Sequence, residues 1–394
     1  MTYASWALMM GGGLGIAGCS GLFPLCAAAL YQAQGVCSAR TRKKLGSATV
    51  ERASMAAQWS SAPKLRLVIG VPARDEAEHL GATLHSINEA VEHLTRSVAG
   101  VIVDVIVADD GSTDTTTDVA RQSGATVIRE ESARGKWAML RRLSTMSHAA
   151  AWIAFVDAGA IWPRDILNTW YAVALDERVM GVAPGYRRRH AGVGERISWA
   201  LERRLKSVEN FAGGPISVHG ATVFYERAAL SRCFEVVGER CFLNDDVVIP
   251  LALRRFNRGK IIRYLPDSVV VDGVPRTRSE LVRRRRLVSG NIEVFDVPGR
   301  GRGGTVVEML LARRICRLLW VYWLAAVMVG LGVGVVTSFG GDGIFVILGL
   351  VTVGTGLLRA PVLGAAACAS FEALPRLLGR CLGGSGGERR VAWR

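Results

Sequence analysis

Several short polar clusters in this chain have the residue types and spacing to do chemistry. Asn244-Asp245-Asp246 sets paired carboxylates immediately before an apolar run that reads as a helix. Adjacent like charges raise one carboxyl pKa, which suits a general base. Asp157 ends the apolar run Trp152 to Val156 and could hold Mg²⁺ or Mn²⁺ through oxygen, the ligand type these ions prefer. Asp109 and Asp110 end another apolar run, followed by Gly111-Ser112-Thr113-Asp114. Arg134-Gly135-Lys136 opens a helix and could set an ammonium beside phosphate; it lacks the glycine spacing and following Ser or Thr of a Walker A loop. The run Arg283 to Arg286 could neutralise a diphosphate.

Each cluster also has a plain structural explanation. Val71-Pro72-Ala73-Arg74-Asp75-Glu76 is an ordinary strand-to-helix turn with an acidic helix start. Asn244 or Asp245 can cap a helix, and so can the hydroxyl residues after Gly111. Lys136 can be a solvated helix start, Asp157 a strand-end turn residue, and the arginine run a positive-inside patch beside a membrane.

The elements that must position these groups alternate. A strand from Leu65 to Val71 is ended by Pro72, and a helix runs from Glu76 to Leu94. A strand from Val101 reaches Asp109-Asp110, followed by a helix Thr115 to Ser123 and a strand Thr126 to Ile128. A helix Lys136 to Ala151 precedes the strand Trp152 to Val156. This order predicts a mostly parallel sheet with helices on both faces, whose carboxyl edge binds ligand. Glu195 to Asn210 reads as a basic amphipathic helix with Ile197, Leu201, Leu205 and Val208 on one side, either a surface helix or one lying on a membrane.

The 394 residues are half hydrophobic and carry a net charge of +15. No zinc-finger spacing or RNA-binding aromatic motif accompanies the basic residues, so nucleic acid is not an expected partner. Eight cysteines without a CxxC pair read as free thiols. No charged side chain precedes Arg40, and residues 1–39 read as a retained transmembrane anchor. The other expected segments are a globular domain at 64–300, a juxtamembrane stretch at 301–317, two transmembrane helices within 318–370 and a basic tail at 371–394. Basic flanks at Arg40-Thr-Arg-Lys-Lys44 and at the outer ends of the carboxyl-terminal hairpin predict an integral protein of the cell (inner) membrane. Its globular domain and carboxyl terminus would be cytoplasmic, with the amino terminus and the turn at Asp342 outside.

In this order the clusters resemble family 2 glycosyltransferases, the membrane-anchored kind related to cellulose, chitin and hyaluronan synthases, over residues 65 to 295. Val71 to Glu76 is similar to the family's Pro-x-x-Asn-Glu turn, Asp109 to Ser112 to its Asp-Asp-Gly-Ser, and Gly135-Lys136 to its Gly-Lys segment. Asp157-Ala158-Gly159 stands at its Asp-x-Asp, with Gly159 in place of the second acidic ligand. Gly220-Ala221 through Arg227 resembles its acceptor-side stretch, and Asp246 aligns with its catalytic base.

The resemblance implies an α/β GT-A fold, Rossmann-like with a mostly parallel sheet, and flanking transmembrane helices. It implies an inverting transfer from a nucleotide-diphosphate sugar, UDP-linked by preference, to a glycan or lipid-linked acceptor. Asp246, Asp245, Arg283 and Arg286 would be catalytic. Pro72, Asp75, Glu76, Asp109, Asp110, Lys136, Gly220 and Ala221 would bind substrate, and Asp157 a divalent metal, Mg²⁺ or Mn²⁺. Membrane lipid and polysaccharide-assembly proteins are the implied partners. Arg283, Arg286 and Leu287 fall at the family's Gln-x-x-Arg-Trp, and the missing aromatic, with only three spans, argues against a polymer-extruding synthase. A different class is a non-catalytic membrane subunit of a polysaccharide-assembly complex that kept the fold.

Overall fold

The computed structural model describes residues 7–10, 22–33, 65–147, 149–189, 193–272, 280–339 and 367–381. They fall into two compact units, one of Ala27–Pro275, Val297–Val307 and Arg390–Arg394, the other of Met1–Cys26, Arg276–Asp296 and Glu308–Arg389.

The first unit is built on an eight-stranded sheet, ordered β3-β2-β1-β4-β7-β6-β8-β5. Its strands are β1 Arg66–Ala73, β2 Ile102–Asp109, β3 Thr126–Arg129, β4 Trp152–Val156, β5 Ala160–Ile161, β6 Val179–Arg188, β7 Thr222–Glu226 and β8 Ile261–Asp272. The β3-β2-β1-β4 half is parallel throughout. β7 turns antiparallel to β4 and β6, β8 runs parallel to β6, and β5 closes the far edge antiparallel to β8. Continuous apolar runs make the central strands because both faces are covered: β4 is wholly buried, and β1 is buried from its second residue on.

The helices of this unit are α2 Ala77–Ser97, α3 Thr116–Gln122, α4 Lys136–Met146, α5 Ile166–Ala174, α6 Val193–Glu209, α7 Arg227–Val237 and α8 Asp245–Phe256, after α1 Leu22–Ala33, which crosses the unit boundary. In α2, Leu80, Leu84, Ile87 and Leu94 recur at helical spacing and pack on Leu67, Ile69 and Val71 of β1. On the other side of the core, Trp170 of α5 stacks on Phe224 of β7, with ring centroids 5.7 Å apart.

Four features depart from the sequence expectations. Pro72 does not end its strand, because the ladder to β4 stops at Gly70 and β1 continues beside β2 alone. α4 stops at Met146 rather than Ala151: the Ala150 N–H donates to the Ser147 carbonyl at 3.0 Å, and the Ala151 N–H donates to the Arg66 carbonyl of β1 at 2.9 Å. The sequence reading does not include β6, β7 and β8; Gly181, Pro184 and Gly185 lie in β6, which pairs with β8 through register shifts.

The fourth is α6, whose expected apolar face is not the buried one. Leu201 is 58 % exposed, whereas Lys206 and Glu209 are buried. Lys206 Nζ donates to the Ser217 carbonyl and, at 3.2 Å, to Ser217 Oγ, which offsets the cost of burying the ammonium. The Ile197 side chain lies outside the described residues.

The second unit contains α9 Glu280–Ile292, most of α10 Gly304–Leu318, α11 Trp320–Phe339 and α12 Ala373–Cys381. Val288, Ile292, Ala369, Ala373 and Leu377 form its core. Arg285 pairs with Glu372, and Arg376 donates to Ser289 Oγ at 2.7 Å. The start of the expected tail is therefore helical and packed. Among the described residues no single helix is long and apolar enough to cross a membrane. The pair Gly304–Leu318 and Trp320–Leu331, bent by 68°, meets the requirement jointly by length and composition. Most of the first and third expected spans lies outside the described residues.

Candidate active site

β1, β2 and β4 deliver their carboxylates to one sheet edge, and the loops there are laced together by side-chain hydrogen bonds. Asp75 takes a left-handed conformation, φ 53°, with its carboxylate accepting from the Thr113 N–H at 2.7 Å. That bond holds its pKa below the ordinary carboxylate value, against the opposing effect of burial. In return, Ser112 Oγ, Thr116 Oγ1 and Asp114 accept from the N–H groups of Asp75, Glu76 and Ala77 at the start of α2. Asp109 is wholly buried and accepts from the Ser112 N–H (2.8 Å) and the Thr117 hydroxyl. Asp110, also wholly buried, accepts from the N–H groups of Arg134 (2.6 Å) and Gly135 (2.8 Å).

The grip on Gly135 aims the next residue. Gly135 has φ 90° and ψ 157°, a conformation side chains disfavour, and it turns the chain sharply into α4. Lys136 thereby reaches across the edge: its Nζ lies 2.8 Å from Asp157 Oδ1 and 3.3 Å from Asp245 Oδ2. Burial alone would lower the Lys136 pKa, but the two carboxylates outweigh it and raise it, so the ammonium persists. Asp157 is pushed up by its low-dielectric surroundings, opposed by Lys136 and reinforced by Asp245.

Gly220 completes the centre. A methyl group on its Cα would lie 3.7 Å from Asp246 Cβ and 3.8 Å from Asp157 Oδ2. Gly220 thus packs between the Asp246 side chain and the Asp157 carboxylate, at ordinary van der Waals distance for a Cβ. Two backbone bonds fix it there. The Asp157 N–H donates to the Ala221 carbonyl (3.0 Å), and the Val218 N–H donates to the Asp246 carbonyl (2.8 Å). The second bond has a cause in sequence. Within a helix the Asp246 carbonyl would accept from residue 250, but that residue is Pro250 and has no N–H. The freed carbonyl takes Val218 instead, tying the first turn of α8 to the Gly220 segment. Pro250 was not among the expected site residues; a proline inside an otherwise helical apolar run was the available signal.

Tyr225, buried beside Asp245 and Asp246, keeps its phenol proton because burial and then the negative charge of Asp245 raise its pKa. His219 packs among Tyr186, Trp199 and Tyr264. Burial, and secondarily the charge of Lys206, lower it to about 3, so it is neutral at pH 7. Its folded pKa lies below its unfolded value of 6.5. The stability it contributes is therefore present above pH 6.5 and is lost as pH falls through that value toward about 3. The full effect is about 5 kcal/mol. His219→Phe should flatten the fall in thermal midpoint between pH 7 and pH 4; an equally steep fall in the variant would show that another group titrates.

The structure thus brings together Lys136, Asp157, Gly220, Ala221, Asp245 and Asp246, with Asp75, Glu76, Asp109 and Asp110 in the neighbouring loops. Pro72 lies on β1, one residue before its end. Arg283 and Arg286 lie on α9 in the second unit, and the Arg283 side chain is outside the described residues. Among the described residues no three His, Cys, Asp or Glu side chains are arranged to hold a metal ion. Gly159, with φ 95° and its N–H donating to Thr83 Oγ1 at 2.8 Å, makes the tight turn after Asp157 where a second acidic ligand was the family pattern.

Three comparisons bear on this arrangement. Residues 63–288, more than half of the chain, match the family described as Glycosyltransferase like family 2. The 4,4'-diaponeurosporenoate glycosyltransferase of Staphylococcus aureus (strain bovine RF122 / ET3-1) is 37% identical over 126 residues, 30% of this chain and 31% of that protein. The aligned stretch thus spans less than a third of the relative's length. The mannosyltransferase PcManGT of Pyrobaculum calidifontis, in complex with GDP-Man and Mn²⁺, superposes with a TM-score of 0.59 at 19% identity, covering 89% of this chain and 99% of that one. The α/β architecture is accordingly GT-A-like, with a mostly parallel curled sheet. By its motifs, its sheet order and this family match, the chain belongs to glycosyltransferase-like family 2 and carries a glycosyltransferase domain.

Proposed function

We propose that the domain transfers a sugar, with inversion, from a nucleotide-diphosphate sugar to a glycan or lipid-linked acceptor by direct displacement. The observation that carries this is the convergence of Lys136, Asp157, Asp245 and Asp246 beside Gly220. In this reading Asp246 accepts the acceptor hydroxyl proton as that oxygen attacks the anomeric carbon. Lys136 neutralises the charge that grows on the leaving diphosphate. Asp245 helps hold Lys136 in place, and Asp110 does so through Gly135. The β1 and β2 loops, with Pro72, Asp75, Glu76 and Asp109, line the nucleoside end.

Asp157 suits a divalent cation that arrives with the donor, since Mg²⁺ in particular is often bound by one or two carboxylates plus substrate phosphates. A bound Mg²⁺ or Mn²⁺ would supply further charge neutralisation. The family resemblance assigns Arg283 and Arg286 a leaving-group role as well.

We also place the protein in the cell (inner) membrane, with the domain in the cytoplasm, where membrane lipid and polysaccharide-assembly proteins would be its partners. The charge asymmetry around residues 1–39 and the bent helix pair support this reading. Two measurements test the proposal. Membranes containing the protein should release nucleoside diphosphate from one member of a panel of UDP- and GDP-sugars; no release from any member would refute transfer. In a cysteine-free background, a membrane-impermeant thiol reagent should label a cysteine at Asp342 and miss one at the exposed Gln122. The reverse pattern would refute the orientation. A non-catalytic subunit is the second reading, favoured by Gly159, and it predicts donor binding without turnover.

A further inference from the structure

We propose that Arg187, Arg188, Arg189 and Arg196 form a phosphate-binding subsite for a phosphate-bearing acceptor. These four residues and Val271 line a cavity of about 310 Å³. The guanidinium groups come from two elements, the end of β6 and the first turns of α6, and converge on one concavity. Convergence is the distinguishing feature, because a patch that only faces a membrane needs outward charge and no cavity.

The backbone beneath is pinned. Arg187 and Arg188 are in register with Val271 and Asp272 of β8, and the Arg189 N–H donates to the Asp272 carbonyl at 3.0 Å. The nearby carboxylate is already engaged: Asp272 Oδ2 accepts from the Tyr186 hydroxyl at 2.7 Å and lies 3.5 Å from Arg188 Nε. Among the described residues, Arg187, Arg189 and Arg196 have no carboxylate partner. Three such charges around one cavity repel each other until an anion joins them, and guanidinium forks match phosphate oxygens.

The position assigns the ligand to the acceptor. Asp157 ends β4, in the middle of the sheet. The nucleoside-end loops lie on β1 and β2 to one side of it; β6, β8 and β5 lie on the other. β5 begins three residues after Asp157 and pairs with Val271 and Asp272. A donor lying across β1 and β2 would therefore present its sugar toward the arginine side. Naming the ligand an acceptor rests on the glycosyl-transfer reading; the anion site does not.

The test uses the full chain in an uncharged detergent and inorganic phosphate as probe, followed by tryptophan fluorescence, since Trp199 packs 4.9 Å from Tyr186. Phosphate should bind saturably to the wild type and at least ten-fold more weakly to the variant carrying Arg187→Gln, Arg189→Gln and Arg196→Gln. All three side chains are exposed, and the single variants repeat the test should the triple one fold poorly. Phosphate should leave UDP and GDP binding to the wild type intact; displacement of either nucleotide would make this the donor diphosphate site and overturn the proposal. Equal phosphate affinity in wild type and variant would also overturn it. Flotation with phosphatidic acid vesicles separates the sources: if the variant loses vesicle binding but keeps its phosphate affinity, the arginines are a membrane-surface patch and the subsite is wrong. Should phosphate binding behave as expected while no nucleotide sugar is turned over, the anion site stands and the glycosyl-transfer reading falls.

Discussion

Asp246→Asn is expected to lower sugar transfer about 1,000-fold, the range a positioned general base supplies. The side chain sits on the first turn of α8, and its carbonyl is tied to Val218, so an isosteric amide keeps the local geometry. An amide cannot take the acceptor proton. Donor affinity should therefore stay within about two-fold, because Lys136, Asp157 and the β1 and β2 loops are untouched. The split between turnover and binding is the informative readout, measured as nucleotide release beside calorimetric titration of the nucleoside diphosphate. A variant that turns over at near the wild-type rate would remove Asp246 from the base role. Loss of donor binding in step with turnover would mean that Asp246 holds the donor or the fold.

Lys136→Met should cost about 100-fold in turnover, comparable to removing one preorganised electrostatic donor, and should weaken donor binding as well. The reason lies in the ion pairs at 2.8 and 3.3 Å to Asp157 and Asp245. Without the ammonium, the two carboxylates face each other uncompensated, and the site repels a diphosphate. The same change removes the partner that opposes the upward shift of Asp157. Its pKa should rise further. If Asp157 must be ionised for activity, the acid limb of the pH–rate profile then moves to higher pH. Lys136→Arg should recover part of the rate but not all, since the guanidinium is larger and planar. Turnover within two-fold of wild type in Lys136→Met, with an unmoved acid limb, would leave Lys136 as a structural ion pair only.

Much of the β1 to β4 half was legible in the sequence. Mostly apolar runs rich in β-branched residues identify buried parallel strands, because a strand covered on both faces is apolar on both, and two of them, β2 and β4, lead into acidic residues. The sheet edge and the carboxylates Asp109, Asp110 and Asp157 followed from those runs, and Asp245-Asp246 from the apolar helix they precede. The other half was not legible: β6 carries Gly181, Pro184 and Gly185, and its pairing with β8 is set by register shifts between distant segments. Helix α6 shows the same limit, since its apolar spacing put Leu201 on one side but could not show that Lys206 is buried, which Ser217, eleven residues further on, makes tolerable.

Residue types alone supplied the chemistry, but not which carboxylate meets which cation. That Asp110 holds the Gly135 turn, that Lys136 reaches Asp157 and Asp245 at once, and that Pro250 frees a carbonyl for Val218 are contacts between segments far apart in the chain. Local sequence sets the conformation of each turn and the charge it carries. The packing of separate strands and helices into one sheet edge decides which of those charges share a site.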